Sequence, residues 1–264
     1  MYKTFIFLNT DSLNDYYSAA KSGYTGNKEI KTKSSTAMKG GGSFKLFSGE
    51  VGKNSDREVK EEIILTDSAK FNELLDLMDE NEDIKYLSEF NKEMWNETWE
   101  NVYKRDIIEA EVSIEVSQLY EKTNVISKLK SDIELFENLT GKSITRAGVN
   151  KSEFESVASL IERNAGQEIP LICKSDVYEN YKFIVYLPKK FLKLNPNELG
   201  GEATLIGKVK NIMKENEKLK VYSMFPEYEK IMNREAKRKN KKQKEIEEYI
   251  DGPLMIIEAL AIYR

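Results

Sequence analysis

The chain has 264 residues, 41 of them basic and 45 acidic, with one cysteine and no histidine. The missing imidazole excludes His-assisted serine and cysteine hydrolases, His-ligated zinc sites and His general bases, and the lone Cys173 excludes an intramolecular disulfide. A net charge of -4 argues against a protein that coats DNA non-specifically, and 40% hydrophobic with 10% aromatic content marks a folded chain able to bury a core without cross-links.

"TFIFLN" (Thr4 to Asn9) reads as a short buried strand. Asn9 or Thr10 then caps a helix carrying Leu13, Tyr16, Tyr17 and Ala20 on one side, with Gly23 as its stop. Residues 22–60 change character, rich in Gly, Ser, Thr and Lys, and are expected to be a flexible insertion. Gly40, Gly41 and Gly42 lack the helix-opening Gly-Lys-Ser/Thr of a phosphate cradle and are read as linker.

From Asp67 the spacing of Phe71, Leu74, Leu75 and Met78 predicts a helix. A second helix is expected to place Leu87, Phe90, Met94 and Val102 on one side, with Trp95 and Trp99 on a neighbouring stripe that packs in the core. The acidic stretch between them spaces Asp79, Asn81 and Asp83 like the start of a calcium loop. The loop's required Gly and Glu are replaced by Ile84 and Phe90, so a helix-to-helix turn is expected.

"DIIEAEVSIEVSQ" alternates Ile108, Ala110, Val112, Ile114 and Val116 with polar residues, which predicts a strand with one dry face and antiparallel neighbours. Two helices follow, one ending near Gly141 and one running from Ser152 to about Gly166. "LTGKS" imitates the end of a phosphate-binding loop, but Phe136 stands where its first glycine belongs and a helix precedes it.

After Pro170 strands dominate. "LICKSDVYENYKFIVYLP" reads as one hairpin, and "GEATLIGKVKNIM" with "KLKVYSM" as another turning in "KENE". Gly207 marks a bulge or a close backbone approach. Cys173 sits in a strand and reads as a small core residue. "GPLMIIEALAIYR" supplies a last buried strand, and it can pair with the N-terminal one.

Glu227 to Ile250 reads as one helix whose apolar stripe fails in its middle, at "KRKNKKQK". The leading reading is a projecting connector with a solvated tip. The second is a contact for nucleic acid or an acidic partner through Lys237, Arg238, Lys239, Lys241, Lys242 and Lys244. Two features restrain it: Glu245, Glu247 and Glu248 follow at once, and no aromatic residue interleaves the lysines to stack on bases.

No stretch approaches the roughly 20 apolar residues of a membrane helix. Met1 leads into the first strand without a basic start or long apolar run, so a cytoplasmic protein without a membrane is expected. The segments "FIFLNTDSLNDYYSA", "LTDSAKFNELLDLM", "GGEATLIGKVKNI" and "GPLMIIEALAIYR" resemble a family of bacterial proteins of unknown function. That resemblance implies a bacterial cytosolic setting, with an association with mobile elements or phage defence, and carries no catalytic residue.

The expectation is an α+β fold with an antiparallel or mixed sheet packed by helices. It comprises an N-terminal region 1–150 and a strand-rich region 151–264 with the basic helix, which together can form one interdependent unit. The functional expectation is a non-enzymatic binding or regulatory protein whose partner is another protein, with no cofactor, catalytic or metal residue assigned. Two alternatives stay open: a nucleic-acid-associated protein using 237–244, and a carboxylate- and metal-dependent hydrolase or nuclease.

Overall fold

Strand β3 (Ile107–Val116) organises the fold, because its alternation gives it one dry face and both of its edges are used. The computed structural model describes residues 3–24, 65–87, 92–140, 151–164, 166–175, 180–224 and 247–264. The glycine triplet at 40–42, the "GKS" at 141–143 and the basic run at 237–244 lie outside the described residues.

In chain order the elements are β1 (Phe5–Leu8), α1 (Thr10–Tyr24), α2 (Asp67–Glu80), β2 (Ile84–Leu87), α3 (Lys92–Glu100), β3, α4 (Gln118–Thr140) and α5 (Lys151–Asn164). Then come β4 (Glu168–Lys174), β5 (Lys182–Pro188), β6 (Gly201–Met213), β7 (Lys218–Ser223), β8 (Glu247–Asp251) and β9 (Leu254–Tyr263). This is the expected α+β class.

The sheet closes on itself. One edge of β3 pairs antiparallel with β6; its other edge is shared, with parallel β2 beside Ile107–Ala110 and antiparallel β4 beside Ser113–Val116. From β4 the pairing runs to β5, then in parallel to β9, then to β6 and back to β3. Five strands thus make a ring, with β1 and β2 as short additions on β9 and β3. Closure removes the open edges that invite aggregation. Counted in chain order within the ring, neighbours run first, second, third, fifth, fourth and back to first. This is the connectivity of an OB-type barrel, and on its own it carries no function. Barrel strands come from both sides of residue 150.

The ring encloses the main core: Ile108, Ala110, Val112 and Ile114 of β3 meet Ile169, Leu171 and Cys173 of β4 and Phe183, Val185 and Leu187 of β5. Met255, Ile257 and Ile262 of β9 complete it, and their change of parity records a bulge. The register shifts opposite Ile206 and Gly207, so that Leu260 and Ala261 both join the outer cluster under α1 and α2. At Gly207 a Cβ would lie 2.5 Å from the Glu258 carbonyl oxygen. The expected close approach is therefore real, and only glycine fits it.

Helices and a ribbon cover the barrel. Asn9 caps α1 by accepting from the Ser12 N–H at 3.1 Å, and Thr66 caps α2 by accepting from Ala69 N–H at 3.2 Å. Their apolar faces meet Phe5 and Tyr263, and Phe5 packs edge-on against Phe71 at 5.2 Å. β1 and β9 pair, as their shared apolar character suggested. Trp95 and Trp99 of α3 are buried against Tyr181 and Phe183.

Four sequence expectations need correction. Leu87 lies in strand β2, not on the α3 helix, and Met94 is exposed, because the two tryptophans are the larger apolar surface and take the inward face of α3. The acidic turn at Asp79–Asp83 joins a helix to a strand; Glu82 takes φ 58, and Tyr86 Oη donates to Asp79 at 2.9 Å. β6 and β7 are joined by a turn at 214–217 but are not paired with each other: β6 pairs with β3 and β9, and β7 pairs with β8. Residues 247–250 continue no helix: they are strand β8, and Ile250 joins a cluster with Ile172, Ile184, Val221 and Leu254 on the outside of β4 and β5.

Candidate functional site

The basic residues Lys237, Arg238, Lys239, Lys241, Lys242 and Lys244 belong to a segment whose described flanks are β7 and β8. Ser223 pairs with Glu247, so the chain leaves and re-enters the described fold at adjacent positions. Of the glutamates expected to offset those lysines, Glu247 and Glu248 are described, and both have other partners. Glu247 is buried, accepts from Tyr249 Oη at 2.7 Å and lies 3.7 Å from Lys220 Nζ. Glu248 accepts from Ser117 Oγ at 2.5 Å and from the Leu119 N–H at 3.0 Å, at the start of α4. A carboxylate there satisfies helix N–H groups that lack an intrahelical partner and complements the helix dipole.

A half-buried polar seam runs along the outside of β3 and β9. Tyr263 Oη donates to Glu109 at 3.1 Å, and Lys3 Nζ sits over the rings of Tyr263 at 4.8 Å and Phe71 at 5.1 Å. Burial pushes the Glu109 carboxyl up and the Lys3 ammonium down, in each case favouring the neutral form. Burial, reinforced by the Glu109 charge, also pushes the Tyr263 hydroxyl up. Partial desolvation and its bond to Asp79 raise the hydroxyl of the more exposed Tyr86 to about 12. Tyrosines moved in this direction hold their protons at neutral pH, so the seam ties the chain start to the sheet rather than offering a base.

Of the remaining acidic row on β3, Glu115 pairs with Lys174 at 2.6 Å. Among the described residues no group of three acidic, Cys or His side chains is placed to hold a metal ion. Cys173 is fully buried and its thiol is raised to about 12 by desolvation, which suits a core residue rather than a nucleophile. No described helix is long and apolar enough to cross a membrane.

The helical pair α4–α5 is a different kind of surface. It is inserted between β3 and β4, so its two ends at the barrel are the start of α4 and the end of α5. Ser117 caps α4, accepting from Tyr120 N–H at 3.2 Å. Leu119, Tyr120 and Thr123 are the buried residues of this 23-residue helix, and all lie in its first two turns. Farther along, α4 packs against α5, with Lys130 held 2.7 Å from Glu162 and Ala158 and Ile161 buried. Large apolar side chains face outward along the rest: Val125 at 65% exposure, Leu129, Leu135, Phe136 and Leu139 at 77%, with Val157 and Leu160 on α5.

The family profile described as a domain of unknown function, DUF6414, matches residues 2–263. The chain belongs to that family. No curated protein and no solved structure matches. The match takes in the barrel, the ribbon and the α4–α5 insertion together, so the projecting helices are part of the family's domain.

The sequence located both helices but not this face. Ile126 and Ile133 are partly covered, whereas Val125, Leu129, Phe136 and Leu139 form a second, exposed stripe on the same helix. The available signal was an apolar arc wider than one partner helix can cover.

Proposed function

We propose that the protein is a non-enzymatic binding protein that works through protein contacts, with the projecting α4–α5 pair as its contact surface. The observation that carries this is the run of exposed large apolar side chains on the part of α4 that leaves the barrel. Contiguous apolar patches on a water-facing surface mark interaction sites, whereas scattered single residues do not. The sequence resemblance supplies the setting we propose, a bacterial cytoplasm in the company of phage-defence genes, and the identity of neighbouring genes tests it.

The decisive experiment is gel filtration of native lysate followed by specific detection of the chain. The wild type is expected to elute above the size of its 30.5 kDa chain. A variant carrying Leu129→Glu, Phe136→Glu and Leu139→Glu should elute at chain size while keeping its circular dichroism spectrum. Elution of the wild type at chain size, with no self-association of the purified chain at any concentration, overturns the reading.

A second reading, nucleic-acid contact through Lys237 to Lys244, is supported by the commitment of Glu247 and Glu248 to other partners, which leaves that charge unoffset by them. It predicts affinity for long duplexes that falls steeply with salt and is lost on reversing those lysines. Salt-independent binding, or none, removes it.

A further inference from the structure

We propose that the exposed stripe of α4 pairs with its own counterpart on a second copy of the chain, the two helices running antiparallel. The inference rests on the reading of α4–α5 as the contact surface and specifies the partner. Val125, Leu129, Phe136 and Leu139 follow a four-three spacing in which Asp132 is the single polar member. Such spacing lets one helix lay a continuous seam along another.

The seam is close to a palindrome. An antiparallel alignment centred on Asp132 sets Val125 opposite Leu139 and Leu129 opposite the exposed Leu135, next to Phe136. The charges divide at the same point. Up to Lys130 the helix carries Lys122, Lys128 and Lys130 against Glu121, and beyond it Asp132, Glu134 and Glu137 with no basic residue. Turned antiparallel, the basic half of each helix lies on the acidic half of the other; a parallel pairing sets like charges together. A twofold contact needs a patch that complements itself, and this one does in both shape and charge.

Asp132 is the informative exception. At the centre of the seam the two Asp132 carboxylates approach each other, with Lys128 of each copy about one turn away. The carboxylates limit the affinity, giving a contact that forms and dissolves rather than a permanent dimer.

Analytical ultracentrifugation of the full chain tests this. The wild type should show a monomer–dimer equilibrium, Phe136→Glu should abolish it, and Asp132→Leu should tighten it by about tenfold or more through added apolar burial and lost repulsion. The tightening is the key result when it remains a monomer–dimer equilibrium, since a misfolded variant aggregates without a defined stoichiometry. Orientation follows from disulfide trapping: a mixture of Val125→Cys and Leu139→Cys chains should cross-link, and Val125→Cys alone should not. Cys173 is buried and does not interfere.

A wild type and an Asp132→Leu variant that are both monomeric at every concentration overturn the proposal. If the lysate complex persists and still depends on Leu129, Phe136 and Leu139, the contact surface stands and its partner is another protein. If the lysate complex is absent too, both readings fall.

Discussion

Replacing Glu248 with alanine should destabilise the fold far more than its position after a lysine-rich run suggests. In the structure its carboxylate reaches from β8 to the start of α4, accepting from Ser117 Oγ at 2.5 Å and from Leu119 N–H at 3.0 Å. Alanine leaves the Ser117 cap on Tyr120 N–H in place but strips a charged acceptor from Leu119 and cuts the link between ribbon and helix. A hydrogen bond to a charged group contributes about 1.5–3 kcal/mol, and the helix-end charge adds roughly 0.3–1 kcal/mol. Glu248 is only half-buried, so a loss of about 2 kcal/mol is expected. Glutamine keeps an acceptor without the charge and should lose about half as much. Urea unfolding with an unchanged slope is the assay. Hydrogen exchange at Leu119 and Tyr120 adds a local readout, expected to speed up in the alanine variant. Were residues 247–250 the end of a helix beginning in the basic run, Glu248 would be a surface residue. A change within about 0.5 kcal/mol in both variants, with unaltered exchange at α4, would refute the contact.

Three other outcomes are expected. Gly207→Ala should cost about 2–3 kcal/mol or prevent folding, because its Cβ would meet the Glu258 carbonyl oxygen at 2.5 Å and Ala259 Cα at 2.9 Å; a melting temperature equal to wild type contradicts the bulge geometry. Glu109 has a folded-state value raised by burial, so the stability it contributes is present below the unfolded carboxyl value, about 4.3, and is lost as pH rises through the folded value. Glu109→Gln should therefore gain stability relative to wild type at pH about 7 and gain least at pH about 4, and urea midpoints at both pH values check the sign. Cys173, buried with its thiol raised to about 12, should react with a chromogenic disulfide only at the rate of unfolding, so immediate labelling of the native protein rules out its core placement.

Local patterns carried much of the fold. The alternation of β3, the spacing of Phe71, Leu74, Leu75 and Met78 in α2, and the apolar run of β9 each depend on neighbours a few residues away, so they are readable along the chain. Gly207 was readable for the same reason, since a glycine inside a strand pattern has few causes. Barrel closure was not readable, because it depends on β2 and β4 sharing one edge of β3 and on the β9 bulge, which are long-range pairings.

The β8 error has a specific cause. Ile246, Tyr249 and Ile250 stand at helical spacing, and the residue that anchors the strand inward is Glu247, a buried charge that a pattern of apolar residues cannot reveal. The exposed α4 stripe was hidden differently. Periodicity identifies apolar residues on a helix but does not say whether a chain neighbour or another molecule covers them.

The most direct test of the contact surface is photo-crosslinking inside the native cell, with a photoreactive phenylalanine analogue at Phe136 and a control at Lys190, an exposed position after β5. The account predicts a discrete protein adduct from position 136, lost when Leu129 and Leu139 are changed to Glu, and none from position 190. Adducts of equal yield at both positions, or at neither, would contradict it.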